Sequence, residues 1–137
     1  MITAVDTNVL LDLLMADREH GERSREAIRS CLAEGSLIAC PVVWAEVATF
    51  FEPDPRAAAE TLESLGVRLV PTDSATALEA AAIWQTYRRA GGRERRIAAD
   101  FLVGAHARIH ADRLLTRDQG FYRQAFQGLE IIDPSAS

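Results

Sequence analysis

Short apolar runs alternate along the chain with longer segments whose apolar residues recur at helical spacing. The runs 2–5, 37–40 and 67–70 have the length and character of buried strands, and the first leads directly into a helical pattern over 9–14. Further helices are predicted at 19–33, 41–51, 57–65, 74–89, 96–111 and 119–126, and further strands at 113–116 and 129–132. Strands that alternate with helices favour right-handed crossovers and a parallel sheet. We therefore expect an α/β fold in which a central parallel sheet of about five strands is flanked by helices.

The length and composition indicate an ordinary globular protein. With 137 residues and no Pro/Gly/Ser-rich break, the chain is expected to form a single domain over 1–137, and its 48% apolar and 26% charged residues exclude general disorder. It has neither an apolar stretch of roughly 18 residues nor the features of a signal peptide, so we expect a cytoplasmic protein with no membrane association. Cys31 and Cys40 lack metal-ligand spacing and are expected to be buried as small apolar residues.

The charge balance limits how the chain can meet nucleic acid. A net charge of -5 argues against a protein that coats nucleic acid, because such binding needs a surplus of basic residues. It does not exclude an enzyme whose acidic site is neutralised by a metal. Five arginines nevertheless fall within nine residues, opposed only by Glu94: Arg88, Arg89, Arg93, Arg95 and Arg96. This cluster is either a phosphate clamp, with Arg93, Arg95 and Arg96 contacting the backbone of a nucleic acid, or a solvated connection broken by glycines.

Three acidic residues are each the only charged side chain in a segment of otherwise uncharged residues. They are Asp6 in 1–11, Glu46 in 36–51 and Asp100 in 97–105. An ionised carboxylate taken out of water costs several kcal/mol unless it is paired, hydrogen-bonded or metal-bound. Something must therefore compensate each of these three charges.

The predicted topology brings these acids toward one edge of the sheet. Asp6 stands where the first strand ends, and Asp118 follows the fourth strand. Glu46 lies in the helix after the second strand, while Asp100 lies in the helix that feeds the fourth. Ligand sites of open parallel sheets lie beyond the carboxyl ends of the strands. Because four carboxylates there repel one another, we predict that they hold a hard divalent cation, Mg²⁺ or Mn²⁺.

Taken singly, these acids also have simpler interpretations. Asp6 and Asp118 suit helix N-caps, and Glu46 or Asp100 can face water from a helix surface. Their joint occurrence favours the metal site. Asp12 lies outside this set, and its position near a helix face predicts a solvated side chain.

The larger aromatic residues occur in apolar helices rather than in a basic groove. Trp44, Phe50, Phe51 and Trp84 are therefore expected to be core or interface residues rather than platforms on which bases stack. The segment around Trp44, Phe50 and Phe51 either offers an apolar face to an amphipathic partner helix or lies wholly in the core.

Four segments together carry a resemblance to a known family. They are Val5-Asp6-Thr7-Asn8-Val9-Leu10, Pro41-Val42-Val43-Trp44-Ala45-Glu46-Val47, the helix with Ala99-Asp100, and Leu115-Thr116-Arg117-Asp118-Gln119-Gly120-Phe121. In this order and spacing they extend over nearly the whole chain. The chain resembles PIN-domain proteins, and most of all the VapC toxins of bacterial toxin-antitoxin pairs.

The resemblance implies a PIN-like three-layer sandwich and a Mg²⁺- or Mn²⁺-dependent endoribonuclease that hydrolyses RNA through a metal-activated water. It assigns the acidic metal-site role to four residues, Asp6, Glu46, Asp100 and Asp118. It assigns a supporting polar role to Asn8 and Thr116. It further implies a homodimer and a small antitoxin protein that binds the chain directly.

Two other classes of function share some of these sequence features. A phosphohydrolase with a nucleophilic aspartate also begins at the end of a first strand, but it needs an Asp-x-Asp pattern, and Asn8 occupies the second acidic position. A PIN-like module that binds RNA or protein without cutting is the remaining alternative.

Overall fold

A computed structural model describes residues 1–92 and 96–135, and its elements follow the predicted alternation. The strands within these residues are β1 (Ile2–Val5), β2 (Ser36–Ala39), β3 (Val67–Leu69), β4 (Arg113–Leu115) and β5 (Glu130–Ile132). The helices are α1 (Thr7–Leu14), α2 (Gly21–Glu34), α3 (Pro41–Ala48), α4 (Ala57–Ser64), α5 (Ser74–Arg89), α6 (Ala98–His110) and α7 (Gln119–Ala125).

The strands form one parallel sheet in the order β3-β2-β1-β4-β5. The α/β sandwich expected from the sequence is therefore confirmed. From β1 the chain moves outward to β2 and β3, and it then crosses back to place β4 on the other side of β1. In the register of this central pair, Val5 lies opposite Leu115. The carboxyl ends of β1 and β4 thus flank the switch point of the sheet, where open α/β folds bind their ligands.

Helix α3 ends earlier than the pattern predicts. Pro41 occupies its first turn, where a missing backbone N–H costs nothing, but the helix ends at Ala48 rather than at Phe51. The hydroxyl of Thr49 donates to the Glu46 carbonyl, and the backbone N–H of Phe51 donates to the Ala48 carbonyl three residues earlier. These contacts close a tighter turn, and Pro53 then prevents continuation of the helix.

Helix α6 begins later than predicted, at Ala98 rather than at Arg96. Ile97 is extended, and its backbone N–H donates to the carboxylate of Asp100 at 3.2 Å. Asp100 therefore compensates one of the unpaired donors that every helix start leaves. The two residues before Ala98 remain outside the helix.

Aromatic side chains join helices α5, α6 and α7 into one core. The Trp84 ring stacks on Phe101 with centroids 5.1 Å apart, and Phe101 meets Phe121 edge to face. Cys31 and Cys40 are buried and free, as expected. None of the helices in the described part of the chain has the length and apolar character needed to span a membrane.

Candidate active site

Asp6 lies at the switch point and is held there by three contacts. Its backbone N–H donates to the Leu115 carbonyl at 3.0 Å, which ties the end of β1 to β4. One carboxylate oxygen accepts from the backbone N–H of Thr7 at 2.7 Å, and the other accepts from the Thr116 hydroxyl at 2.7 Å. Asp6 therefore caps α1, as its simpler interpretation predicts, and it also faces the other acids.

Burial makes the charge of Asp6 unfavourable. Only 8% of the residue is exposed, and this burial raises the pKa of its carboxyl group from 3.8 to about 6. The hydrogen bonds from Thr116 and Thr7 oppose the shift, whereas the nearby charges of Glu46 and Asp118 add to it. A cation at this position would compensate the cost of burying the charge and would reduce the repulsion from Glu46 and Asp118.

Asn8 and Thr116, the predicted supporting polar residues, connect the ends of β1 and β4. The Thr116 hydroxyl donates to Asp6 and accepts from the backbone N–H of Asp118 at 3.0 Å. The Asn8 side chain accepts from the backbone N–H of Arg117 at 3.2 Å, and its amide lies 3.4 Å from Asp6. These contacts fix the loop that carries Asp118 relative to Asp6.

Thr7 is a site residue that the sequence reasoning missed. Its hydroxyl donates to the exposed carboxylate of Glu46 at 2.6 Å, so one residue contacts Asp6 through its backbone and Glu46 through its side chain. Its position between Asp6 and Asn8, at the start of a helix, was the available signal.

Asp100 and Asp118 meet around a single arginine. The Arg96 guanidinium donates to both carboxylate oxygens of Asp118, at 2.6 and 3.4 Å, and lies 4.0 Å from the carboxylate of Asp100. It also lies 4.1 Å from the centre of the Phe121 ring. The Asp118 side chain makes no capping bond to α7, so the site contact replaces the simpler interpretation. Arg93 and Arg95 lie outside the described residues, and their contacts with RNA stay a prediction.

The four predicted acids thus belong to one continuous set of contacts. Thr7 links Glu46 to Asp6, Thr116 links Asp6 to Asp118, and Arg96 links Asp118 to Asp100. Burial raises the pKa of the Tyr122 hydroxyl, and the charges of Asp6, Asp100 and Asp118 raise it further. These three carboxylates therefore act on the same buried group.

The donor set fits a hard divalent cation, but the side chains as placed do not yet surround one. Carboxylate oxygens are the donors that Mg²⁺ and Mn²⁺ prefer. Within 1–92 and 96–135, however, no three acidic, histidine or cysteine side chains are close enough together to hold a metal ion. Glu46 is instead hydrogen-bonded to Thr7, and Asp118 to Arg96. A bound ion would have to replace some of these contacts.

Asp12 corrects one expectation from the sequence, since it is buried rather than solvated. Only 4% of the residue is exposed, and its carboxylate accepts from Arg117 at 2.7 and 3.0 Å and from the Ser24 hydroxyl at 2.7 Å. The hydrogen bonds with Asp12 raise the pKa of Arg117. Because Arg117 lies between Thr116 and Asp118, this pair anchors the loop that carries both site residues.

A cavity of about 550 Å³ opens beside Asp118. The residues that line it include Tyr87, Phe121, Gln124 and Gly120. This volume is in the range of sites that bind small organic molecules. The carboxylate of Asp118 forms part of the wall, so the cavity adjoins the acidic site.

The aromatic residues divide between core and surface. Trp44, Phe51 and Trp84 are partly buried against the core, in agreement with the expectation. Phe50 is instead 55% exposed.

The parallel sheet and the carboxylates at its switch point define a doubly wound α/β protein with an acidic site. The chain belongs to the PIN domain family, whose model matches residues 3–127.

Comparison with solved structures supports the same assignment. The chain is similar to FitAcB from Neisseria gonorrhoeae, with 25% sequence identity, complete coverage of both chains and a TM-score of 0.76. It is similar to VapBC2 from Rickettsia felis bound to a DNA fragment from their promoter, with 16% identity, 97% and 98% coverage and a TM-score of 0.74. VapC20 from Mycobacterium tuberculosis has 16% identity, 82% and 86% coverage and a TM-score of 0.58. Comparison with curated proteins returns no match. The resemblance inferred from the sequence is confirmed.

Proposed function

We propose that this chain is a Mg²⁺- or Mn²⁺-dependent endoribonuclease and the toxin of a toxin-antitoxin pair. The observation that carries the proposal is the series of contacts through Thr7, Thr116 and Arg96 that links four acids near the switch point of a PIN-family sheet. Asp6, Glu46, Asp100 and Asp118 are the residues that would hold the ion. Such an ion supplies a water of lowered pKa and a positive charge opposite the scissile phosphate.

The residues of the chain orient this site rather than attack the substrate. Thr116 and the backbone N–H of Thr7 fix both oxygens of Asp6, and the Thr7 hydroxyl fixes Glu46. Asn8 holds the loop of Asp118 through the backbone of Arg117. Polar groups around a metal site orient its ligands in this way, and Glu46 would have to exchange its contact with Thr7 for the ion.

RNA is the substrate that this proposal assigns to the site. The similar protein VapC20 is described as a Sarcin-Ricin loop cleaving toxin. The cavity beside Asp118 has room for a base or sugar next to the cleaved bond, with Tyr87 and Phe121 as its aromatic walls. Arg93 and Arg95 are assigned to phosphate contacts on the strand.

An RNA cleavage assay tests the proposal. The purified chain is incubated with cellular RNA in Mg²⁺, in Mn²⁺ and in EDTA, and the new ends are mapped. We expect cleavage with either ion, loss of cleavage in EDTA and in Asp6→Asn, and full activity in Glu60→Gln, an exposed acid of α4. RNA that is bound but never cut would support the alternative of a non-catalytic module.

A direct antitoxin partner belongs to the same proposal. One of the similar structures is a toxin-antitoxin complex from Klebsiella pneumoniae. Exposed Phe50 is the anchor that we assign to an amphipathic antitoxin helix. Expression of the chain alone should slow growth, and co-expression with the reading frame beside its gene should restore it. Equal growth in both, without co-purification, would contradict the partnership.

A homodimer is also part of the proposal. Light scattering of the purified chain should give a mass of about twice the 15.0 kDa of one chain. A monomer at micromolar concentration would contradict this part alone.

A further inference from the structure

Arg96 lies between two of the four site acids, Asp118 and Asp100. Its guanidinium contacts both oxygens of Asp118 and lies 4.0 Å from Asp100, and only 15% of its side chain is exposed. The Phe121 ring lies 4.1 Å from the guanidinium carbon and covers one of its faces. A planar cation is therefore held between two carboxylates and an aromatic ring.

This arrangement is stronger than an ordinary surface ion pair. A guanidinium that meets a carboxylate through two hydrogen bonds is fixed in direction as well as attracted, and an aromatic face adds to the attraction. The surrounding groups also withdraw most of the arginine from water, which reduces screening of its charge. Arg96 thus neutralises part of a site whose acids otherwise repel one another.

A second cation competes with Arg96 for the carboxylate of Asp118. The proposed function, on which this step rests, assigns Asp118 to a divalent cation. An arginine at 2.6 Å and a metal ion compete for that carboxylate, because both need the same oxygens and because the two positive charges repel each other. In this structure the carboxylate of Asp118 is paired with the arginine.

We propose that Arg96 is an internal cation that shares Asp118 with the divalent ion and thereby sets the metal affinity of the site. Metal binding displaces the guanidinium from Asp118. Arg96 is a positioning residue in this scheme, because it acts through Asp118 and Asp100. Replacement of Arg96 should lower the stability of the metal-free protein and raise the affinity of the site for the divalent ion.

Arg108, in helix α6, provides a matched control. It pairs with Glu79 at 3.4 Å and lies 5.5 Å from the centre of the Phe126 ring, so it repeats the combination of carboxylate and aromatic ring. None of the four site acids is among these contacts. Arg108→Gln therefore removes a comparable arginine without removing a contact of the four site acids.

Calorimetric titration of the full-length chain with Mg²⁺ and with Mn²⁺, in the absence of RNA, tests the inference. We expect Arg96→Gln to bind the ion about tenfold more tightly than the parent chain, which is the size of effect that a neighbouring charge has on a carboxylate equilibrium. Arg96→Lys keeps the charge but loses the planar contact, so its affinity should lie between the two. Arg108→Gln should bind as the parent does.

Thermal melts give a second measurement. In EDTA both glutamine variants should melt below the parent chain, whereas saturating Mg²⁺ should raise the melting temperature of Arg96→Gln by more than it raises that of the parent or of Arg108→Gln. Circular dichroism confirms that each variant is folded, and Arg96→Lys supplies a conservative replacement if Arg96→Gln does not fold.

The outcomes separate this inference from the proposed function. If the parent chain binds metal and cleaves RNA while Arg96→Gln has equal or weaker metal affinity, the inference is wrong and the proposed function stands. If neither the parent nor any variant binds metal, the assignment of the ion fails and the inference fails with it.

Discussion

Asp6 shows how one residue can serve local structure and chemistry in conflicting ways. It accepts one hydrogen bond as the cap of α1 and a second from the Thr116 hydroxyl, yet its burial opposes the charge that a metal ligand needs. Because burial raises the pKa from 3.8 to about 6, the folded chain holds this proton more tightly than the unfolded chain does. The stability that Asp6 contributes is therefore complete below about pH 4 and is lost as the pH rises through 6.

Asp6→Asn should remove this loss. In EDTA and above pH 7, the variant should be more stable than the parent by up to about 3 kcal/mol, and its free energy of unfolding should change less between pH 4 and 6. Urea unfolding across this pH range measures both effects. Glu60→Gln, which removes an exposed charge, should follow the parent. Parallel curves for Asp6→Asn and the parent would contradict the origin of the shift.

The pair of Asp12 and Arg117 makes a stability prediction at the same scale. Asp12→Ala leaves Arg117 without the carboxylate that it contacts through two nitrogens, and it also removes the acceptor of the Ser24 hydroxyl. We expect the free energy of unfolding to fall by about 2–3 kcal/mol. This is no more than the smallest cost usual for a broken buried ion pair, because the Arg117 side chain is 31% exposed and can regain some water. Urea unfolding should show this loss, and Asp12→Asn should lose less because it keeps an acceptor for Ser24.

At the scale of elements, the approach of helix α6 to its neighbours depends on a missing side chain. A Cβ atom at Gly104 would lie 2.3 Å from the ring of Phe126, which is fully buried. The backbone of α6 can therefore lie against this ring only where it carries no side chain. Because α6 also carries Asp100, its packing controls the geometry of the site.

Gly104→Ala should lower the free energy of unfolding by about 1–3 kcal/mol through overpacking. Gly120→Ala in α7 is the matched control, since its added Cβ would meet no atom within 4 Å, and it should be neutral or slightly stabilising. The double variant Gly104→Ala with Phe126→Leu should lose less than the sum of the two single changes. An unchanged stability of Gly104→Ala would show that the ring can move freely.

For the whole molecule, the acidic balance confines any electrostatic attraction for RNA to local patches. The net charge is -5, and the arginines between 88 and 96 are the densest basic segment of the sequence. Within that segment Arg96 contacts Asp118, and the Arg88 guanidinium lies 5.7 Å from the Trp84 ring. Arg93 and Arg95 are the members that we assign to the RNA backbone.

Replacement of Arg93 and Arg95 by Gln should weaken RNA binding uniformly across sequences, because phosphate contacts carry no base information. The slope of log K against log salt should fall by about 0.7 for each lost contact with a single strand. Fluorescence anisotropy over a salt series measures the slope. Arg25→Gln with Arg29→Gln, two exposed arginines of α2, makes the same change of net charge elsewhere and should leave the slope unaltered.

The sequence alone determined the order of strands and helices and the identity of the unusual acids. Both are local properties: periodicity is read over a few neighbouring residues, and a lone carboxylate in an apolar run is evident without any tertiary contact. The expectation of a shared edge also followed, because the carboxyl ends of parallel strands lie together. The end of α3 could not be predicted from the sequence, since Thr49 and Phe51 close a turn that the apolar pattern does not reveal.

Only the tertiary structure decided which side chains touch. Asp6 and Thr116 are 110 residues apart, and they meet because β4 lies beside β1. The same packing buries Asp12, which has the sequence context of a solvated charge, against Arg117. It also turns Arg96 toward Asp118, a partner that the basic segment of the sequence does not reveal. Local pattern specifies an element, but the partner of a charged side chain depends on which distant element packs beside it, and that choice is made by burial over the whole chain.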